Sequence, residues 1–190
     1  MDASQRKELL ELLARESCFD RAVTLSSGRT SNYYLDCRRV LMLPRGAFLV
    51  GELLIDFVTD ARVSQVGGMA AAAIPVTDAI LAAAHRRKIE LTGFFVRKET
   101  KQHGLQQRIE GAFRPGVATA IVEDTVTSGG SCLDAAAVAR DAGANVTTVI
   151  ALADRGEGGA EAFAKAGLQY RFLFSADEIW QIHQRVKPSH

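Results

Sequence analysis

Short apolar segments alternate with longer amphipathic segments through the last two thirds of the chain. The apolar segments predict strands at residues 63–66, 91–96, 117–122, 146–152 and 170–174. Segments with helical spacing of their apolar residues lie at residues 75–87, 131–142 and 160–166. Strands that alternate with helices predict βαβ units and a parallel sheet covered by helices. The pattern therefore indicates an α/β fold.

The first part of the chain does not follow this alternation. About the first 15 residues predict an amphipathic helix through their leucines. Pro44 stands where a second helix would begin, and the polar residues 26–39 before it predict a loop or hairpin. We interpret residues 1–62 as an N-terminal helix and a hood over the strand ends, and residues 63–190 as the α/β core. The two parts form one structural domain overall.

Two further segments complete the predicted layout. The connection at residues 97–116 is polar and has no apolar period, so it predicts a long loop. Ser175 and Glu178 have the spacing of a capping box, which predicts the start of a last helix that runs through Trp180.

Composition and charge exclude several classes of protein. The 190 residues are 47% hydrophobic and 24% charged, as in a globular protein rather than a disordered one. The longest apolar run, residues 69–74, is too short to span a bilayer. A net charge of +1 argues against a nucleic-acid partner. The three cysteines are odd in number and lack metal-site spacing, so we predict a reducing cytoplasmic location.

The most informative chemistry follows the predicted strand at residues 117–122. Glu123 and Asp124 come directly after it, and a small-residue segment leads into a helix, in the order Thr125, Val126, Thr127, Ser128, Gly129, Gly130, Ser131. Loop amides and a helix N-terminus favour phosphate. The lysine of a P-loop is missing, and the two carboxylates suit a sugar diol better than a polyphosphate. The segment therefore indicates a ribose 5-phosphate site. The alternative is a glycine-rich turn that binds no ligand.

Two other segments carry candidate chemistry. The long loop opens with a run of basic residues and a glycine, Arg97, Lys98, Lys101, His103 and Gly104. Mobile cations of this kind can neutralise a diphosphate leaving group, although charge runs are often only solvated loops. Arg155 follows the predicted strand at residues 146–152 and could bind a planar carboxylate through its two-pronged guanidinium. The alternative for Asp154 and Arg155 is an exposed ion pair of little consequence.

Together these segments resemble the orotate phosphoribosyltransferases, a family of type I phosphoribosyltransferases. Residues 120–131 look like that family's signature for phosphoribosyl diphosphate (PRPP), and the basic loop looks like its catalytic loop. Asp154 and Arg155 resemble its orotate-binding segment, and the likeness extends over residues 10–174. It implies a type I phosphoribosyltransferase fold, with a central parallel sheet, flanking helices and a small N-terminal hood. It also implies transfer of ribose 5-phosphate from PRPP to orotate, a step of pyrimidine synthesis that yields orotidine 5′-monophosphate and diphosphate.

The resemblance implies roles for individual residues. The catalytic residues would be Lys101, His103 and Asp124. The PRPP contacts would be Arg97, Lys98, Lys101, His103, Glu123, Asp124, Thr125, Val126, Thr127, Ser128, Gly129, Gly130 and Ser131. Orotate would contact Thr127 and Arg155, with Tyr33 and Tyr34 as weaker candidates that could equally pack in the core.

The resemblance further implies a Mg²⁺ cofactor held by the diphosphate and the ribose hydroxyls, without a direct side-chain ligand. It also implies a homodimer in which the catalytic loop enters the partner's site. Gly67, Gly68 and Met69 would open a strand-to-helix turn that offers amides to the diphosphate.

The chain departs from the family pattern at two places. Many relatives have a lysine at the position of Ser26, and many have a Tyr-Lys pair within residues 70–73, which are all alanine here. These differences leave two alternatives open: a phosphoribosyltransferase for another base, and a PRPP-sensing regulator without transferase activity. The regulator would need a basic nucleic-acid surface, which the near-neutral charge disfavours.

Overall fold

A computed structural model of the chain describes residues 1–21, 23–24, 30–99 and 108–186. The helices are α1 (Ala3–Glu16), α2 (Arg38–Leu41), α3 (Pro44–Asp60), α4 (Ala73–Arg86), α5 (Gly130–Asp141), α6 (Gly159–Lys165) and α7 (Ala176–Val186). The strands are β1 (Cys18–Phe19), β2 (Val23–Thr24), β3 (Thr30–Ser31), β4 (Tyr34–Leu35), β5 (Gln65–Met69), β6 (Thr92–Val96), β7 (Ile109–Gly111), β8 (Ala118–Val126), β9 (Asn145–Asp154) and β10 (Gln169–Ser175).

The central sheet has the strand order β10-β9-β8-β5-β6-β7. All neighbouring pairs are parallel except β6 and β7, which are antiparallel. The chain leaves β5 toward β6 on one side and later returns to β8 on the other. This reversal is a topological switch point, and ligands of open α/β sheets bind there, beyond the carboxyl ends of the strands. The site predicted from residues 120–131 therefore lies where the topology favours a ligand.

Helices cover both faces of the sheet, as the alternating pattern predicts. One hydrophobic cluster joins α1, α3, α4 and α7 to one face, and it includes the fully buried Leu53, Ile80 and Phe174. A second cluster joins α5 to the other face and includes Ile121 and Phe163. The predicted α/β fold with a parallel sheet flanked by helices is confirmed.

The N-terminal segment contributes helices to the hydrophobic core and short strands that lie outside the central sheet. Helices α1 and α3 share the core of the first cluster, whereas two short antiparallel pairs, β1 with β4 and β2 with β3, stand outside the central sheet. Residues 33–38, by contrast, reach the carboxyl ends of β8 and β9, as the contacts below show. The division at residue 62 stays a prediction.

The structure corrects some local predictions. The connection at residues 97–116 is not wholly a loop, because Ile109–Gly111 forms the edge strand β7. A strand of three residues is too short to show an apolar period. Its pairing with β6 depends on tertiary contact, which the local sequence does not reveal. Arg38–Leu41 forms the unpredicted helix α2. The predicted cap of the last helix is confirmed, because Glu178 N donates to Ser175 Oγ at 3.1 Å.

Within the described residues, the helices are all too short or too polar to cross a membrane.

Candidate functional site

Glu123 and Asp124, the acidic pair, lie inside β8 near its carboxyl end rather than after the strand. Glu123 and Asp124 are only 6% and 8% exposed, although both carry carboxylates. Asp124 N donates to Glu123 Oε1 at 3.2 Å, and Thr125 N donates to Asp124 Oδ1 at 2.6 Å. Carboxylates that are this deeply buried at a strand end, instead of being solvated, indicate a site for polar ligand groups.

Burial shifts the titration of both carboxyl groups. The pKa of Glu123 rises from 4.5 to about 8, first because burial desolvates the carboxylate and then because Asp124 repels it. The positive charge of Lys98 acts in the opposite direction. Burial also raises the pKa of Asp124, while its hydrogen bonds and the charge of Arg38 oppose the rise. The pair therefore binds protons more tightly than ordinary carboxylates do.

Two buried thiols lie against this pair. Cys132 Sγ lies 4.0 Å from Glu123 Oε2, and Thr125 Oγ1 donates to Cys37 Sγ at 3.4 Å. Burial raises the pKa of both thiols, so they remain protonated and act as small packing groups. The contact between Cys37 and Thr125 also places the segment before α2 over the end of β8.

The segment after β8 turns sharply into α5. Gly129 is the N-cap of α5 and has a left-handed conformation with φ of 84°. It has no side chain with which to cap the first-turn N–H groups, which an anion can therefore bind. A cleft of about 270 Å³ opens here, lined by Glu123, Thr125, Val126, Thr127, Ser128, Gly129, Gly130, Ser131, Cys132 and Asp134. The structure thus joins the predicted phosphate loop and the first carboxylate in one cleft.

Arg155 lies next to this cleft. Val126 of β8 is in register with Asp154 of β9, and Arg155 N donates to Val126 O at 2.9 Å. Only 6% of the Arg155 side chain is exposed. Its position at the end of the neighbouring strand agrees with a carboxylate site, and its burial argues against the exposed ion pair of Asp154 and Arg155.

Sequence reasoning missed Glu157, an ion-pair partner of Arg155. Glu157 Oε1 lies 3.2 Å from Arg155 Nε, and the Glu157 side chain is also only 6% exposed. This acid lies two positions after the predicted arginine in the chain, and that spacing was the available signal. A second missed residue is Trp180, whose ring stacks on Tyr33 with centroids 4.6 Å apart and planes 9° apart.

The two tyrosines occupy different surroundings. The Tyr33 ring contacts the Arg155 guanidinium, whose carbon lies 5.1 Å from the ring centroid, as well as Trp180. Tyr34 is 37% exposed and packs at a tilt against Phe19, with centroids 6.4 Å apart. Tyr33 therefore lies beside the predicted carboxylate site. A direct contact of either ring with a base stays a prediction.

The basic loop is described only at its start. Arg97 N donates to Arg108 O at 2.8 Å, and Arg97 Nη1 lies 3.3 Å from Glu110 Oε1. Lys98 lies close enough to Glu123 to oppose the rise in its pKa. Lys101 and His103 lie outside the described residues, as does Ser26, and their predicted roles stay predictions.

The glycine pair on β5 differs from its prediction. Gly67, Gly68 and Met69 lie inside the strand, and the turn to α4 is formed by residues 70–72. Gly68 is needed for packing, because a Cβ there would lie 2.3 Å from Val122 O on β8. The pattern of two glycines therefore reflects close strand contact at the switch point.

A phosphate loop, a buried acidic pair and a parallel sheet with this switch point define a type I phosphoribosyltransferase. No protein-family model matches the chain. The chain is 45% identical to the orotate phosphoribosyltransferase of Rhodopirellula baltica, over 87% of this chain and 89% of that protein.

Solved structures that resemble this chain also include orotate phosphoribosyltransferases. Orotate phosphoribosyltransferase of Mycobacterium tuberculosis in complex with Fe(III) dicitrate superimposes with a TM-score of 0.81 at 40% identity, covering 92% of this chain and 98% of that one. The same enzyme in complex with PRPP gives a TM-score of 0.77 at 37% identity, covering 92% and 98%. The chain belongs to the orotate phosphoribosyltransferase family, which confirms the resemblance found in its sequence.

Proposed function

We propose that this chain transfers ribose 5-phosphate from PRPP to orotate, giving orotidine 5′-monophosphate and diphosphate. One observation carries the proposal: Glu123 of the buried acidic pair lines the same cleft as the N-terminus of α5, and a buried arginine lies at the next strand end. The cleft offers acceptors for a diol and donors for a phosphate, and the arginine suits the carboxylate that distinguishes orotate from uracil. The PRPP complex of the M. tuberculosis relative supports PRPP as the donor substrate.

PRPP would bind through the loop between β8 and α5. The amides of residues 125–129 and the hydroxyls of Thr127, Ser128 and Ser131 would hold the 5′-phosphate. Glu123 and Asp124 would accept hydrogen bonds from the 2′- and 3′-hydroxyls. Positive charge that develops at C1′ in the transition state would favour the ionised form of these carboxyl groups and so oppose the rise in their pKa that burial causes.

Orotate would bind with its carboxylate on Arg155. A guanidinium can donate two parallel hydrogen bonds to a carboxylate, which fixes the plane of the base as well as its position. Thr127 would contact the same substrate from the phosphate loop. Because orotate is already acidic, its ring nitrogen needs little further activation as the nucleophile.

Mg²⁺ is the proposed cofactor. No group of three or more His, Cys, Asp or Glu side chains among the described residues could hold a metal ion by itself. Mg²⁺ usually keeps several waters and binds substrate phosphates, so the diphosphate and ribose hydroxyls of PRPP would hold it, without a direct side-chain ligand. When bound, Mg²⁺ would neutralise charge on the diphosphate.

The basic loop would complete the site of a partner subunit in a homodimer. Arg97, Lys98, Lys101 and His103 would neutralise the departing diphosphate, with Lys101 as the strongest contributor to rate. A mixture of Lys101→Ala and Asp124→Asn proteins tests this arrangement. In heterodimers with shared sites, one site contains both intact motifs and the other contains both defects.

Random exchange makes about half of the dimers heterodimers, so activity should recover to about a quarter of wild type. Subunit exchange is verified separately with differently tagged chains. If activity stays at the level of the two separate variants after exchange, each loop serves its own subunit.

The reaction itself is tested by diphosphate release. Purified protein is incubated with PRPP, Mg²⁺ and one of orotate, uracil, hypoxanthine or adenine. Orotate should support turnover far above the other bases, since it alone carries the carboxylate that Arg155 would bind. Preference for another base would refute the orotate assignment, and PRPP binding without turnover would favour the regulator.

A cytoplasmic location is also proposed. Its support is that Cys18, Cys37 and Cys132 are all free thiols, as expected in a reducing compartment.

A further inference from the structure

We infer that Glu157 is a positioning residue for orotate, which acts by holding the guanidinium of Arg155 in the orientation that receives the substrate's carboxylate. The inference rests on the proposed role of Arg155. Its basis is the contact of Glu157 Oε1 with Arg155 Nε at 3.2 Å, between two side chains that are each only 6% exposed.

Two hydrogen bonds fix the backbone of Arg155 and Gly156 at the end of β9. Gly156 N donates to Asp154 Oδ1 at 3.0 Å, and Asp154 itself is buried. Arg155 N is bound to Val126 O, so its backbone is fixed to β8. The backbone that leads into Glu157 is therefore anchored to β8 and to the Asp154 side chain.

Burial makes the contact consequential. An exposed ion pair has little effect, because solvent screens it and its side chains lose entropy. In a buried pair, removal of one member takes away a charged hydrogen bond that the other member makes in a poorly solvated place. Arg155 without Glu157 would therefore lose the contact that orients its guanidinium at Nε, and the guanidinium could turn away from its position beside the phosphate loop.

The geometry also shows how Glu157 would act on the substrate. The guanidinium is planar, and the contact at Nε restrains rotation of that plane. The Tyr33 ring lies against it at 5.1 Å, supported by the stacked Trp180 ring. A carboxylate that approaches the edge formed by the two Nη atoms would then meet a donor pair already in the correct plane, which lowers the entropy lost on binding.

The test compares Glu157→Ala, Glu157→Gln and Arg155→Ala with a matched control, Glu161→Ala. Glu161 is an exposed acid in the first turn of α6, so its replacement removes the same charge nearby without touching Arg155. Steady-state kinetics give KM for each substrate and kcat, and thermal unfolding checks the fold of each variant.

Glu157→Ala should raise KM for orotate about tenfold or more, while KM for PRPP and kcat change by less than about threefold. Glu157→Gln should restore KM for orotate to within about threefold of wild type, because its amide oxygen can still accept from Nε. A general loss of structure would raise both Michaelis constants, and Glu157→Gln would not rescue them selectively.

The possible failures are distinguishable. If Arg155→Ala raises KM for orotate but Glu157→Ala behaves like Glu161→Ala, the positioning role of Glu157 is wrong and the role of Arg155 stands. If Arg155→Ala leaves KM for orotate unchanged, Arg155 does not bind the carboxylate, and both proposals are overturned. Equal changes for PRPP and orotate in Glu157→Ala also overturn the inference.

Discussion

Replacement of Gly129 by alanine is expected to reduce both stability and PRPP binding. Gly129 has φ of 84°, and an alanine in that left-handed conformation costs about 1–2 kcal/mol. Its Cβ would also lie 2.7 Å from Cε1 and 2.8 Å from Cζ of Phe163. Because the Phe163 ring is fully buried, the ring cannot yield freely, and such overpacking costs about 1–3 kcal/mol. The total loss in the free energy of unfolding is therefore about 2–5 kcal/mol.

Gly116→Ala is the matched control. Gly116 also has a left-handed conformation, with φ of 79°, but a Cβ there would meet no atom within 4 Å. This variant should lose only the conformational part, about 1–2 kcal/mol, and it should keep the wild-type KM for PRPP. Urea unfolding of both variants separates the clash with Phe163 from the backbone cost.

The effect on PRPP follows from the position of Gly129 in the phosphate loop. If relief of the clash moves the loop enough to lose one charged hydrogen bond, binding weakens by about 1.5–3 kcal/mol, which raises KM for PRPP about tenfold or more. Diphosphate release at varied PRPP measures this change. Equal stability losses in the two variants, or an unchanged KM for PRPP in Gly129→Ala, would refute the reasoning.

Two further predictions concern the acidic pair. Asp124→Asn should lower kcat/KM for PRPP by an amount that corresponds to about 1.5–3 kcal/mol of lost transition-state stabilisation, without lowering the melting temperature. The surface variant Asp141→Asn should change neither quantity. Glu123→Gln should alter the pH dependence of stability. Because the folded pKa of Glu123 is raised from 4.5 to about 8, the wild type loses stability as pH rises through that window. The free energy of unfolding in urea, taken for the variant relative to wild type, should therefore be about a few kcal/mol higher at pH 9 than at pH 5. A difference that stays constant with pH would contradict the raised pKa.

Local sequence was sufficient for the chemistry that is contiguous in the chain. The acidic pair lies near the end of β8, and the phosphate loop and Arg155 come at the ends of β8 and β9, so the sheet brings them to one edge once the strands are parallel. The alternation of apolar segments with amphipathic segments predicted that parallel arrangement. The cap at Ser175 was also predictable, because it depends on residues only three positions apart.

The predictions that failed concern backbone whose structure depends on distant partners. Ile109–Gly111 is a strand only because β6 offers it an open edge. The glycine pair on β5 was expected in a turn, yet it lies in the strand, where Val122 O on β8 leaves no room for a Cβ on Gly68. Neither neighbour is visible in the local sequence.

The sequence by itself therefore determined the fold class, the family and the residue types of the site, since these depend on periodicity and on contiguous motifs. Only the tertiary structure decided how those residues behave. Burial at the end of β8 raises the pKa of Glu123 and Asp124. Packing between segments far apart in the chain brings Tyr33 and Trp180 to Arg155. Desolvation and long-range contact have no signature in local sequence, because both arise from the surroundings that the whole chain creates around a residue.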